Sequence, residues 1–155
     1  MAAPGPFVIG NLPKLNLFNA TGLLNATAAN FRLALVTSAW TPNTATDELW
    51  AVASGSEIAN GNGYTTGGIN PPSAALSQTS GVVKFTSSSA VWTASGTGIP
   101  AWRYGVLYYL GTLNSKVNPL IAYFLGDATP ADVPLTTAGN TLTFTPNASG
   151  ILTAT

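Results

Sequence analysis

Cysteine and histidine are both absent from this 155-residue chain, and charged residues make up only 6% of it. Ordinary soluble proteins carry about 25%. Without thiol or imidazole there is no thiolate nucleophile, no imidazole general base and no ordinary zinc or iron–sulfur site. A disulfide framework is excluded as well, so nothing points to an oxidising compartment. The five cations, Lys14, Arg32, Lys84, Arg103 and Lys116, are scattered along the chain. They form no basic stripe of the kind that neutralises many phosphates, and nucleic acid is not an expected partner. Apolar runs fall short of the roughly 20 residues that span a bilayer, so no membrane partner is expected. The opening Met-Ala-Ala-Pro-Gly-Pro carries neither a charged region nor a continuous apolar stretch. It does not read as a secretory signal, and the expectation is a soluble, cytoplasmically made protein.

What is present is apolar and uncharged. Hydrophobic residues reach 46%, and the net charge is zero. The surface must then be covered by Thr, Ser, Asn and Gly, with little charge to resist association. The expectation is that much of this surface ends against a partner. The length fits one compact domain, or one domain and an arm.

Residues 1–30 differ in character from the rest of the chain. Pro4, Pro6 and Pro13 argue against a long helix, while Phe7, Val8, Ile9, Leu12, Leu15, Leu17 and Phe18 argue against a solvated tail. The reading is an extended arm that docks on its own domain or on a neighbour, with an edge strand of the same domain as the alternative. Ordering such an arm costs roughly 1–2 kcal/mol per residue in backbone entropy. Burying each Phe or Leu side chain returns about 1.5–3 kcal/mol, so an apolar arm can dock where a polar one cannot.

Residues 31–155 read as an all-β domain, a single antiparallel β-sandwich or barrel with one short helix. Phe31-Arg-Leu-Ala-Leu-Val-Thr-Ser38 alternates with period two and is the first strand. The helix is expected over residues 46–54, with Thr46 as N-cap, Asp47 and Glu48 in its first turn, Gly55 as its stop, and Leu49, Trp50 and Val52 facing a sheet. Further strands are expected at 74–78, 81–86, 90–93, 103–110, 119–125, 140–145 and 149–154, separated by Gly-, Asn- and Ser-rich turns. The runs 103–110 and 120–125 are almost continuously apolar, which predicts central strands covered on both faces and a hairpin across 111–118. Thr141-Leu-Thr-Phe-Thr145 alternates, which predicts Leu142 and Phe144 inward.

The only acidic side chains are Asp47, Glu48, Glu57, Asp127 and Asp132. Capping and loop roles account for Asp47, Glu48, Asp127 and Asp132 without catalysis, and the protein is not expected to be an enzyme. The stretch Asn60-Gly-Asn-Gly-Tyr-Thr-Thr-Gly-Gly68 lacks the Lys of a phosphate-binding loop, and Pro71-Pro72 forbids the helix such a loop needs. Its reading is structural: a tight reversal that seats Tyr64. Trp40, Trp50, Trp92 and Trp102 with five tyrosines are read as core or interface material, with a sugar-stacking platform as the alternative. Trp40 and Trp102, flanked by turn residues and proline, are expected near the surface. Three Asn-x-Thr/Ser sequons are chance matches in so Asn- and Thr-rich a chain.

The order of these elements resembles small virion structural proteins of tailed bacteriophages. The residues that carry the resemblance are Phe-Arg-Leu-Ala-Leu-Val-Thr-Ser, Asp-Glu-Leu-Trp, Gly-Asn-Gly-Tyr-Thr-Thr-Gly-Gly, Val-Trp-Thr-Ala, Arg-Tyr-Gly-Val-Leu-Tyr, Pro-Leu-Ile-Ala-Tyr-Phe and Gly-Asn-Thr-Leu-Thr-Phe, within residues 31–155. The resemblance implies a particle component located in the virion and assembled in the host cytoplasm, with no cofactor and no catalytic residues. Charge poverty and the apolar arm select a capsid decoration or cement protein within that group. Its expected partners are the major capsid protein or other virion proteins, and it is expected to be a homo-oligomer. The residues expected to bind a partner are Phe7, Val8, Ile9, Leu12, Leu15, Trp40 and Trp102. A tail, baseplate or fibre component and a carbohydrate-binding adhesion module are the alternatives.

Overall fold

The computed structural model describes residues 7–10, 28–79, 82–129 and 131–154. Among the described residues the fold is mostly antiparallel β, with one short helix. A 3-10 turn, Ala28–Asn30, leads into β1 (Phe31–Val36). Next in the chain are α1 (Ala51–Ser54), β2 (Ala75–Thr79), β3 (Val82–Thr86), β4 (Ala90–Thr93), β5 (Tyr104–Tyr109), β6 (Thr112–Leu113), β7 (Lys116–Val117), β8 (Leu120–Leu125), β9 (Thr141–Phe144) and β10 (Leu152–Ala154). One layer is the sheet β1-β5-β8. The other is formed by β10-β3-β2 and β4-β9. Residues 87–89 join β3 to β4, and 145–151 join β9 to β10, so these two short sheets succeed one another along the same layer.

Side-chain alternation explains why both faces of the first sheet are apolar. From β1, Phe31, Leu33 and Leu35 enter the space between the layers, where Phe85, Trp92, Leu142 and Phe144 meet them. Ala34 and Val36 point the other way, joining Val106, Tyr108 and Leu120 beneath a cover made by Trp40, Trp50 and Ala53. The central strand β5 is therefore buried on both sides, as its continuous apolar run predicts. β8 is the exception to that expectation: it lies at the sheet's edge rather than its centre, its outer side bonded by the Glu48 carbonyl at Leu120 and by Val8 at Tyr123. β9 and β4 show the expected alternation, with Leu142, Phe144 and Trp92 inward and Thr141, Val91 and Thr143 outward.

The expected hairpin across 111–118 forms. β6 and β7 pair through Leu113 and Lys116, with Asn114 and Ser115 both at positive φ between them. That is the backbone twist a two-residue hairpin loop needs.

The helix is shorter than expected. Its residues are Ala51–Ser54, and Thr46 is not its cap. Two tertiary bonds draw the preceding residues into extended pairing: the Trp50 amide donates to the Asn118 carbonyl and the Leu120 amide to that of Glu48. The Asp47 carboxylate instead accepts the backbone N–H of Asn43, closing a separate turn. Val52 faces outward, and Trp50 alone of the expected apolar side is buried.

Candidate functional site

Residues 7–10 lie against the outer edge of β8. Val8 forms an antiparallel bridge with Tyr123 of β8, its amide donating at 2.6 Å and its carbonyl accepting at 3.0 Å. The ring of Phe7 packs on Phe124 and Phe144, which themselves stack at 4.8 Å. It lies 4.7 Å from Phe124 and 5.6 Å from Phe144, tilted to the first and edge-on to the second, an arrangement aromatic pairs favour. Ile9 packs on the cluster of Leu107, Ile121 and Ile151. Of the residues expected to bind a partner, Phe7, Val8 and Ile9 lie against their own domain, joined to it by the single bridge at Val8. Leu12 and Leu15 lie outside the described residues.

Trp40 and Trp102 are not near the surface; they are 6% and 5% exposed. The proline and turn residues beside them do not expose them, because longer-range pairing decides their position. Trp102 bridges Val133 and Ile99 bridges Thr136, which pulls this strap over the core and sets the indole edge-on to Phe124. Trp40 folds onto the outer face of the first sheet. There it meets Tyr104 and Tyr123 edge-on at 5.4 and 5.7 Å and donates its indole N–H to Asp47 at 3.2 Å. Trp50 stacks flat on Tyr108 at 4.6 Å. All four tryptophans are buried, so none offers an open face to a sugar ring. Tyr104 and Tyr123 are half-buried beside them. Burial, then the neighbouring Tyr104 phenol and Asp47 carboxylate, push the Tyr123 phenol above its ordinary pKa.

The glycine-rich loop does what its sequence predicts. Asn62, Gly63 and Gly68 adopt positive φ. A side chain at Gly63 would collide with the Thr93 carbonyl, and one at Gly68 with that of Leu33, so only glycine lets the loop lie this close to β4 and β1. Tyr64 is driven into the core. Its hydroxyl accepts the Leu35 amide at 3.0 Å and donates to the Glu57 carboxylate at 2.6 Å. The same carboxylate oxygen accepts the Gly67 amide at 2.6 Å, and the Tyr108 hydroxyl donates to the Gly67 carbonyl at 2.8 Å. This network fastens the loop along the outer edge of β1, which also bridges Ile69 and Glu57. Nothing in the spacing of Glu57 and Tyr64 marks them as partners, since the bond depends on the loop's reversal.

The remaining carboxylates are also engaged within the domain. Glu48 pairs with Lys116 at 3.0 Å and Asp132 with Arg103 at 2.8 Å. Asp127 accepts from the Thr129 hydroxyl and amide, which hold its carboxyl below the usual carboxylate range. Among the described residues no group of three or more Asp or Glu side chains is placed to hold a metal ion. No helix of the described residues is long and apolar enough to cross a membrane.

These features define an antiparallel β fold with residues 7–10 bridged to the edge strand β8 at Val8. No protein-family model matches the chain, and no curated protein or solved structure matches it at a significant level.

Proposed function

We propose that this protein is a non-catalytic structural subunit of a virus particle, a decoration or cement protein that binds the assembled shell. The observation that carries the reading is the employment of its carboxylates. Asp47, Glu48, Glu57, Asp127 and Asp132 each hold a turn, a loop or a neighbouring strand in place. The few charges serve the fold, and the outward positions of β4 and β9 are Val91, Thr93, Thr141 and Thr143. An uncharged, β-branched surface suits permanent apposition to a partner. The resemblance of residues 31–155 to phage virion proteins supplies the kind of partner, the major capsid protein.

The mechanism is linkage. A protein that binds only the assembled shell stabilises it by its binding free energy, repeated over many copies. The test is the copy number of this chain in purified particles, measured by quantitative mass spectrometry against the major shell protein. A near-stoichiometric ratio supports decoration of the shell. A handful of copies moves the protein to the tail or baseplate, and absence from particles overturns the reading.

A further inference from the structure

We propose that residues 7–10 form an exchangeable strand: the slot on β8 that they fill in their own chain accepts the same segment from a second copy. The slot is small and well defined. It offers the backbone of Tyr123 for two hydrogen bonds and the rings of Phe124 and Phe144 for Phe7. A second copy's segment makes those same bonds and ring contacts, so exchange loses none of them.

Chain length permits the exchange. Residues 7–10 run antiparallel to β8, so Gly10 emerges at the end of the sheet where β1 begins. From the segment across β8 and β5 to β1 is three strand spacings, roughly 14–15 Å. Residues 11–27, seventeen in number, connect the two points. Seventeen residues can span up to about 60 Å. That maximum is several times the distance required within one molecule, and seventeen residues are enough to reach a slot on an adjacent copy. Replacing a contact within the chain by an identical one between chains is the general route of strand and domain swapping.

Concentration then decides which slot is filled. A segment carried on the same chain competes for its own slot at an effective concentration on the order of millimolar. Dilute protein therefore stays closed, and closely packed copies exchange. The proposal does not depend on the decoration reading, because it requires only copies of this chain.

The absence of native cysteine makes the test direct. Val8 and Tyr123 are directly opposed, and such paired positions lie about 5.5 Å apart between Cα atoms, within disulfide range. A Val8→Cys chain is mixed with a mass-tagged Tyr123→Cys chain, so that a disulfide between the two chains forms only by exchange. The mixture is oxidised at about millimolar concentration and again after roughly hundredfold dilution. The control pair is Val8→Cys with Leu135→Cys, an exposed site with no bridge to residues 7–10 among the described residues. The expected result is a mixed disulfide several-fold above the control at high concentration, falling to the control level on dilution. No excess over the control at either concentration overturns the proposal. Sedimentation of the unaltered protein over the same range gives a reading free of any folding defect in Tyr123→Cys. A dimer that grows with concentration supports exchange, and a monomer throughout overturns it.

Discussion

The hydroxyl of Tyr64 stands between two elements, 3.0 Å from the Leu35 amide of β1 and 2.6 Å from the Glu57 carboxylate of the loop that flanks it. One phenol therefore joins the sheet edge to the segment that covers it. Because Glu57 also receives the Gly67 amide, the loop is closed on itself and on β1 by the same carboxylate.

Replacing Tyr64 by Phe keeps the ring and removes the bridge. The Leu35 amide loses its acceptor at a buried position. Leaving such a group unsatisfied costs about 1–3 kcal/mol. Thermal denaturation of Tyr64→Phe is expected to show a melting temperature lower by about 2–4 °C per kcal/mol for a chain of this size. An unchanged melting temperature would show that the bridge contributes nothing to the fold.

Alkaline pH tests the same network. Tyr64, Tyr108 and Tyr123 all have phenols raised above the ordinary value of 10.0, chiefly by burial. The folded chain holds these protons after an unfolded chain has begun to release them. Their contribution to stability is therefore full below about pH 10 and is lost as pH climbs through the folded-state values. Denaturant midpoints should be flat around neutrality on this account and fall steadily above about pH 10, with tyrosinate absorbance rising together with unfolding. Midpoints that stay level into that range would contradict it.

Two glycines, Gly63 of the loop and Gly55 after the helix, are expected to respond oppositely to substitution. Gly63→Ala puts a methyl group on the Thr93 carbonyl at a positive φ, where neither backbone can yield cheaply. The expected loss exceeds about 4 kcal/mol and should appear as loss of soluble, folded protein. Gly55 has an ordinary φ of −67° and open space around it. Gly55→Ala is expected to leave stability unchanged or raise it by about 0.4–1 kcal/mol, through the unfolded chain. Equal effects in the two variants would mean that the loop does not lie against β4 as described.

Phe7→Ala measures how firmly the N-terminal strand is seated. The ring is half-buried, against the fully buried Phe124 it touches. A buried Phe→Ala change costs about 3–5 kcal/mol, so roughly half of that is expected for Phe7 and all of it for Phe124. Urea denaturation of both variants in dilute protein checks the ratio. A silent Phe7→Ala would show that the strand leaves its slot in the free monomer.

Local pattern was enough for the strands. Period-two alternation in Thr141-Leu-Thr-Phe and the unbroken apolar run of β5 report how many faces a strand buries, and that is a property of the residues themselves. Turn chemistry was legible for the same reason: Asn114-Ser115 and the glycine loop need backbone conformations that few residues adopt. The candidate site was less legible. The helix was overestimated because Asp47 and Glu48 look like helix-start residues, yet Asp47 closes a turn on Asn43 and the Glu48 and Trp50 backbones pair with residues 118–120.

By itself, the sequence determined an all-β antiparallel chain with one short helix, an apolar N-terminal segment and few charges. Only the tertiary structure decided that Trp40 and Trp102 are buried, that β8 is an edge strand, that Glu57 serves Tyr64, and that Phe7 packs on the stacked pair of Phe124 and Phe144. The physical reason is range. Alternation and turn preference act over a few residues, whereas the Phe7–Phe124, Trp102–Val133 and Trp50–Asn118 contacts join segments far apart in the chain, and their pairing depends on the whole sandwich closing around them.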